Sequence, residues 1–487
     1  MKLTACLAML AVVTLGACAQ PTPEQRIVND AAAALGGSDR VLAVKTLVIE
    51  GEGTQGNLGQ DMRPEASGQA FNITGYRRAV DVAAGRARVE QTRTPNFAFF
   101  QGTAPQKQTL GIDGDVGYNV AANGNATRVA NLVADDRRAE IYHHPLTMVR
   151  AALDPKAQLA KFRTIGSESA VEVIVPSGLR FTLAVDNTTK LPTRIVSMSY
   201  NTNLGDVATE TSFADYKDVD RFRLPARITT KTDKYATADL RVTRQAVNAE
   251  VGDLAAPAAA ASAAPVAAPP PANVAVENVA KGVWFLAGQS HHSVLIEFSD
   301  HLMLIEAPQN ETRTLAVIAK ARELRADIPL THVVSTHHHF DHSGGIRAAV
   351  AEGLTVITHK GNAAYYAEAV ERSHTIMPDA LARSPKPLKI ETVDDELIIK
   401  DSAMTVALYH IAGSPHADTQ LMAYLPGERI LVEADVYTPG TAVQPYAANL
   451  LENIRKRNLR VDRIVPIHGK IGPFSDLVKT VQPTSTN

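Results

Sequence analysis

Thr336-His337-His338-His339-Phe340-Asp341-His342-Ser343-Gly344-Gly345 follows directly on a short run of β-formers, His332-Val333-Val334-Ser335. Read as H-x-H-x-D-H, the stretch sets His337 and His339 on one side of an extended segment, because alternate residues of extended backbone point the same way. Asp341 and His342 fall on the next bend. Two imidazoles can then ligate one ion while the Asp–His pair reaches a second close by. Gly344 and Gly345 let the chain turn sharply into a helix. Such a loop needs partners from elsewhere, and they stand at the ends of later β runs: His416 in Gly413-Ser414-Pro415-His416, Asp435 in Val432-Glu433-Ala434-Asp435, and His468 in Val465-Pro466-Ile467-His468. Five imidazoles and two carboxylates form a donor set suited to zinc.

The elements around these residues alternate between strand and helix. Val283–Ala287, Ser293–Phe298, Leu302–Glu306, Leu354–Thr358, Thr405–Tyr409, Leu421–Leu425, Arg429–Glu433 and Arg463–Ile467 read as strands, and 311–324, 345–352, 363–372 and 448–456 as helices. Upstream, from Lys45 to about Asn248, the pattern is strand-like throughout. Lys45–Glu50, Ala170–Val175, Leu179–Ala184 and Ile195–Tyr200 alternate, with turn residues between them. Leu191-Pro192-Thr193-Arg194-Ile195 is echoed by Leu224-Pro225-Ala226-Arg227-Ile228, and each echo would open a strand of one curved antiparallel sheet, with proline where its missing N–H costs least. Helices are expected at Glu24–Leu35 and from His144 to about Leu153. His143-His144 reads as a surface or helix-cap pair, since no third ligand is near. Residues 254–273 are Ala/Pro-rich and read as an extended, semi-rigid linker. The expected organisation is a leader at 1–18, a mainly β domain at 19–253, the linker at 254–273 and a domain of alternating strands and helices at 274–487, an α+β chain overall.

Composition narrows the function classes. Lys and Arg number 49 against 51 Asp and Glu, so the chain as a whole is not a basic nucleic-acid binder. Two cysteines in 487 residues exclude a disulfide scaffold and a multi-cysteine zinc site. Both lie in the first 18 residues, where Lys2, an apolar run from Ala5 to Leu15 and Leu15-Gly16-Ala17-Cys18 make a secretory leader. The last four residues resemble the bacterial lipobox, which implies a lipid on Cys18, loss of Cys6 with the leader, and a mature chain with no disulfide. Ala19 after the cysteine implies the periplasmic side of the outer membrane. The expectation is a lipid-anchored cell-envelope protein, or a periplasmic one if Cys18 is incidental, touching the membrane only through that lipid.

From about Val276 to Val481 the sequence resembles the metallo-β-lactamase-fold hydrolases, matching the metal-ligand motifs of their dinuclear, glyoxalase II- and lactonase-like branch. The resemblance implies an αβ/βα sandwich and two zinc ions, with iron as an alternative. His337, His339 and His416 would hold the first ion; Asp341, His342 and His468 the second; Asp435 would bridge them. It implies hydrolysis of a small ester, lactone, thioester or amide by a hydroxide between the ions, with Asp341 also taking and delivering the proton. Tyr437 would donate to an oxyanion or pack. Two departures stand out. The family's usual bracing Asp is replaced by Glu306, a longer carboxylate for the same role, and Asp435 at the bridge argues against a dedicated β-lactamase while leaving promiscuous β-lactam turnover open. The alternatives are a mononuclear iron oxygenase resembling persulfide dioxygenases, and a non-catalytic envelope protein binding lipid or a partner. The β half resembles, more faintly, the LolA/LolB-like half-barrels, through its strand series and Phe213–Pro225.

The remaining histidines divide by position. His338, between two ligand positions, should point away from them. His291-His292 reads either as lining the site or as an exposed hairpin. His301, His332, His359, His374 and His410 are expected to be structural or exposed. Residues 373–387 and 439–447 are candidate lids. No basic stripe supports nucleic-acid binding, so the expected partner is a small-molecule substrate.

Overall fold

A computed structural model describes residues 20–66, 68–269 and 272–482. The leader and Cys18 lie outside the described residues. The amino-terminal half is one thirteen-stranded antiparallel sheet. Its first strand, Thr46–Gly56, pairs on one side with Ala70–Asp81 and on the other with Tyr235–Val247, so the chain's two β meanders meet at the centre of the sheet. Helix Pro23–Leu35 opens with a capping box: Thr22 and Gln25 exchange side-chain-to-backbone hydrogen bonds, satisfying two free N–H groups of the first turn. Its buried face (Ile27, Val28, Ala31, Leu35) packs with Leu146 and Val149 of helix Pro145–Ala152 on sheet residues from both wings, Ile112 and Leu183 among them. Helix Asn131–Glu140 touches strands Gln106–Asp113 and Pro192–Asn201, far apart in strand order, so the sheet curls. A cavity of about 360 Å³ lies within the curl, lined by Ile49, Ile73, His143, Thr211 and Leu240 among others.

Three local expectations change. His143 and His144 are buried: His143 meets Thr211 and Ser197 through its two ring nitrogens, and His144 caps its helix by accepting from the Leu146 N–H. The cap reading holds for His144 and the surface reading fails for both. Pro192 opens its strand, but Pro225 sits inside Phe222–Thr232, opposite Tyr216 and ahead of the first pairing with Tyr235–Val247 at Arg227, where the missing N–H costs no ladder bond. The Ala/Pro-rich stretch is not a free linker in its first part. Leu254 and Ala260 are buried, Ala258–Ala261 is a turn of helix, and Tyr118 and Arg128 donate to the carbonyls of Leu254 and Ala263. Small side chains let this segment lie against the sheet.

The carboxy-terminal half is a four-layer sandwich. One sheet has seven strands running from Ala275–Ala280 to Lys389–Val393, and the other has six running from Glu396–Lys400 to Gly472–Pro473. Their facing sides interdigitate through Val294, Ile305 and Val334 against Leu408, Leu421, Val432 and Val465. Alternate residues turn outward: Leu295, Leu304 and Val333 meet helices Glu311–Leu324 and Ile346–Ala351, while Met422, Leu431 and Ile464 meet Ala447–Lys456 and Phe474–Val481. With both faces covered, the strands read as continuous apolar runs. At one edge the two sheets are stitched by backbone bonds from Leu421 N–H to the Thr336 carbonyl and from His292 N–H to the Ile467 carbonyl. The predicted ligands lie at that edge.

Candidate metal centre

The predicted ligands lie in the loops, and one helical turn, that link strand ends. His337 and His339 follow Leu330–Val334, Asp341 and His342 lie on the turn of helix Phe340–Ser343, His416 precedes Leu421–Leu425, Asp435 follows Ile430–Glu433, and His468 follows Arg463–Pro466. They converge in two groups. His337, His339, His416 and Asp435 offer ligand atoms within 4.8 Å of one another, and so do His291, Asp341, His342 and His468.

Asp435 joins the groups. Its Oδ2 lies 3.1 Å from His416 Nε2 and 3.8 Å from His337 Nε2; its Oδ1 lies 2.8 Å from His468 Nε2 and 3.1 Å from His342 Nε2. The residue adopts a left-handed backbone, φ +66°, a region Asp tolerates better than most residues. Glu433 supports the turn by accepting from the N–H groups of Val436 and Tyr437, and burial pushes its carboxyl well above the usual range.

The outward nitrogen of four imidazoles is held, which fixes the other for ligation. His342 Nδ1 donates to Glu306 Oε2 at 2.9 Å. His337 Nδ1 is 3.0 Å from the Thr336 hydroxyl, which donates to the same Glu306 oxygen. His468 Nδ1 donates to the Ser290 carbonyl, and His339 Nε2 to the Asp61 carbonyl. The nitrogens that remain face inward: His337 Nε2 and His416 Nε2 stand 3.3 Å apart, His342 Nε2 and His468 Nε2 3.2 Å apart, and His339 Nδ1 is buried with no hydrogen-bond partner. Imidazole nitrogens brought together beside a carboxylate fit divalent cations, and residues of these types suit zinc.

Glu306 braces the loop as expected. It is fully buried, accepts from the Thr336 N–H as well as its hydroxyl, and takes up its extra length on a left-handed backbone, φ +77°. Asp341 is the exposed member, with its side chain 38% accessible. Burial would raise its carboxyl, but His342 and the hydrogen bond from His291 outweigh that and hold it below the ordinary range.

His291 is inside the site. It is 7% exposed, its Nε2 lies 3.2 Å from Asp341 Oδ2, and its ring stacks edge-on at 4.1 Å from that of His468. The exposed-hairpin reading fails for it, while His292 packs on Phe285. His338 turns away towards Thr419. Tyr437 is corrected: it lies in the apolar cluster with Leu450 and Leu477, its hydroxyl beside Thr480, away from the ligand groups. Of the two expectations for it, the packing one holds. Tyr446 is the tyrosine beside the site, its ring 5.1 Å from that of His416 and its hydroxyl donating to the Ala98 carbonyl; burial and then Asp435 push it up to about 12. It lies within the predicted 439–447 segment, a weak signal that a lid reading alone did not resolve to a residue.

Residues 287–468 match the family model described as Metallo-beta-lactamase superfamily. The carboxy-terminal half is a metallo-β-lactamase-fold domain. Among solved structures, it is similar to a metallo-beta-lactamase from Pontibacter korlensis, at 18% identity over 43% of this chain and 97% of that one, TM-score 0.33. It is similar also to the metallo-beta-lactamase FIM-1 from Pseudomonas aeruginosa in its mono-zinc form, at 16% identity over 43% and 93% of the two chains, TM-score 0.34. A metallo beta lactamase from Hirschia baltica matches at 16% identity over 43% and 96%, TM-score 0.32.

Proposed function

We propose that this chain is a zinc-dependent hydrolase of a small ester, lactone, thioester or amide, with β-lactams as promiscuous substrates. The observation that carries the reading is Asp435, whose two oxygens face two different histidine groups. In this reading His337, His339 and His416 hold one zinc, Asp341, His342 and His468 the other, and Asp435 both. Zinc bound there supplies Lewis acidity towards a carbonyl and brings the pKa of water towards 7. The chain's own groups handle the proton. Asp341 Oδ1 accepts from the Gln60 amide and Oδ2 from His291 Nε2, and Asp341, the most open carboxylate of the group, is the residue placed to take the proton and return it to the leaving group. An iron oxygenase of the persulfide-dioxygenase type uses two His and one carboxylate and would leave most of these positions without a role.

The test is a panel of chromogenic lactones, esters, thioesters and β-lactams, read with and without a chelator and with His337→Ala. The proposal expects chelator-sensitive turnover of at least one class, lost in His337→Ala while the fold persists, because the two sheet cores do not depend on metal. Turnover unaffected by the chelator and by the substitution would contradict it.

A further inference from the structure

The metal-ligand loop is held from outside its own domain. The turn between strands Thr46–Gly56 and Ala70–Asp81 of the amino-terminal sheet reaches across to it. Gln60 Nε2 donates to Asp341 Oδ1 at 2.7 Å. The Asp61 carbonyl accepts from His339 Nε2 at 3.0 Å, which is what leaves His339 Nδ1 buried and unpartnered among the ligand atoms. The Gly59 carbonyl accepts from the Phe340 N–H, and the Met62 carbonyl from the Asp418 N–H, two residues past His416.

The turn is built to stay in place. Asp61, 7% exposed, accepts from the N–H groups of Gly68 and Gln69 through one carboxylate oxygen, both at 2.8 Å. The Tyr235 hydroxyl donates to the Pro64 carbonyl. Gly59, at φ +75°, lets the backbone lie against the Phe340 ring, where a Cβ would come within 2.2 Å. Beneath it Leu58, Leu204, Val207, Tyr235 and Phe340 form an apolar cluster shared by the two halves, and Asn203 donates to the Ser343 hydroxyl and the Phe340 carbonyl.

We propose that the amino-terminal domain is a structural part of the metal centre, with Gln60 and the Asp61 carbonyl acting as positioning groups for Asp341 and His339. Gln60 fixes which oxygen of Asp341 faces the cleft, and the Asp61 carbonyl fixes the tautomer of His339. Groups that hold a ligand's far atom typically govern metal affinity by about 10–100-fold. The contacts run from one turn to one ligand of each group, so they separate the two ions. Gln60 acts on the site of Asp341, His342 and His468, and Asp61 on that of His337, His339 and His416. This inference rests on the dinuclear reading above.

The test is stepwise zinc titration of the full chain against a chromogenic chelator, beside the visible absorption of the cobalt-loaded protein, for the unaltered chain, Gln60→Ala and Asp61→Ala. Gln60→Ala is expected to weaken one of two zinc sites by about 10–100-fold, to leave the other within about twofold, and to shift the cobalt bands, with the melting temperature of the metal-free chain unchanged. Asp61→Ala, which frees the turn that carries both groups, is expected to weaken both sites. Two sites within about twofold of the unaltered chain in both variants would overturn the proposal. So would equal weakening of both sites by Gln60→Ala with a fall in metal-free melting temperature, the mark of general loosening. An unaltered chain that binds no zinc would overturn the dinuclear reading itself, and this inference with it.

Discussion

Glu306 shows how far single residues determine this site. Its carboxylate takes three hydrogen bonds, from the Thr336 N–H, the Thr336 hydroxyl and His342 Nδ1, and no water reaches it. Glu306→Gln keeps the shape but turns one acceptor into a donor facing groups that already donate. Zinc affinity at the Asp341-containing site is expected to fall about 10–100-fold, measured by chelator competition; an unchanged affinity would show that His342 does not depend on this brace. The convergence of these residues was legible in the sequence because H-x-H-x-D-H and the three later residues fall in the loops beside strand ends, where alternation and turn chemistry determine direction. His291 and Tyr446 were not resolved, since each belongs to a loop whose path is set by tertiary packing. Tyr437 was read as an oxyanion donor or a packing residue, and of the two it packs.

At the scale of elements, helices and strands with clear periodicity appear where their patterns put them: 311–324 is helical residue for residue, and Pro23–Leu35 begins one residue before the predicted start. The Ala/Pro-rich segment was the exception, because composition reports backbone preference and not the groove beside it. The buried pair at helix Pro145–Ala152 gives an element-scale prediction. Burial holds His143 and His144 down to about 3, against 6.5 for an exposed imidazole. Between those values the unfolded chain binds protons that the folded one does not. Stability from this pair is therefore complete above pH 6.5 and is lost as pH falls towards 3. From pH 6.5 to 5 the loss is roughly 2 kcal/mol per histidine. Denaturant unfolding at both pH values should show a shallower dependence for His143→Gln/His144→Gln than for the unaltered chain; equal slopes would mean that these imidazoles are not held neutral.

The whole molecule joins two architectures that a sequence reading takes one at a time. Ion pairs Arg372–Asp233 and Lys234–Glu368, the Tyr200–His374 contact and the Asp206 carboxylate capping Thr375 and Ile376 tie the antiparallel sheet to the sandwich beside the metal edge. None of these pairs is close in sequence, so no local pattern announces them. We propose, from the lipobox-like Leu15–Cys18 alone, that the protein is held in the cell envelope by a lipid on Cys18, or is periplasmic if that cysteine is incidental. No helix among the described residues is long and apolar enough to cross a membrane. Cys18→Ser should move the chain from the membrane to the soluble periplasmic fraction and abolish incorporation of labelled fatty acid, whereas an unchanged membrane fraction would point to another means of attachment.

A pair of zinc ions sharing Asp435 would show itself first in the metal content. Elemental analysis of the purified full chain, with Asp435→Ala beside it, should find about two zinc ions per chain, falling to one or none in the variant. A single iron per chain, or a zinc content that Asp435→Ala leaves unchanged, would contradict the account.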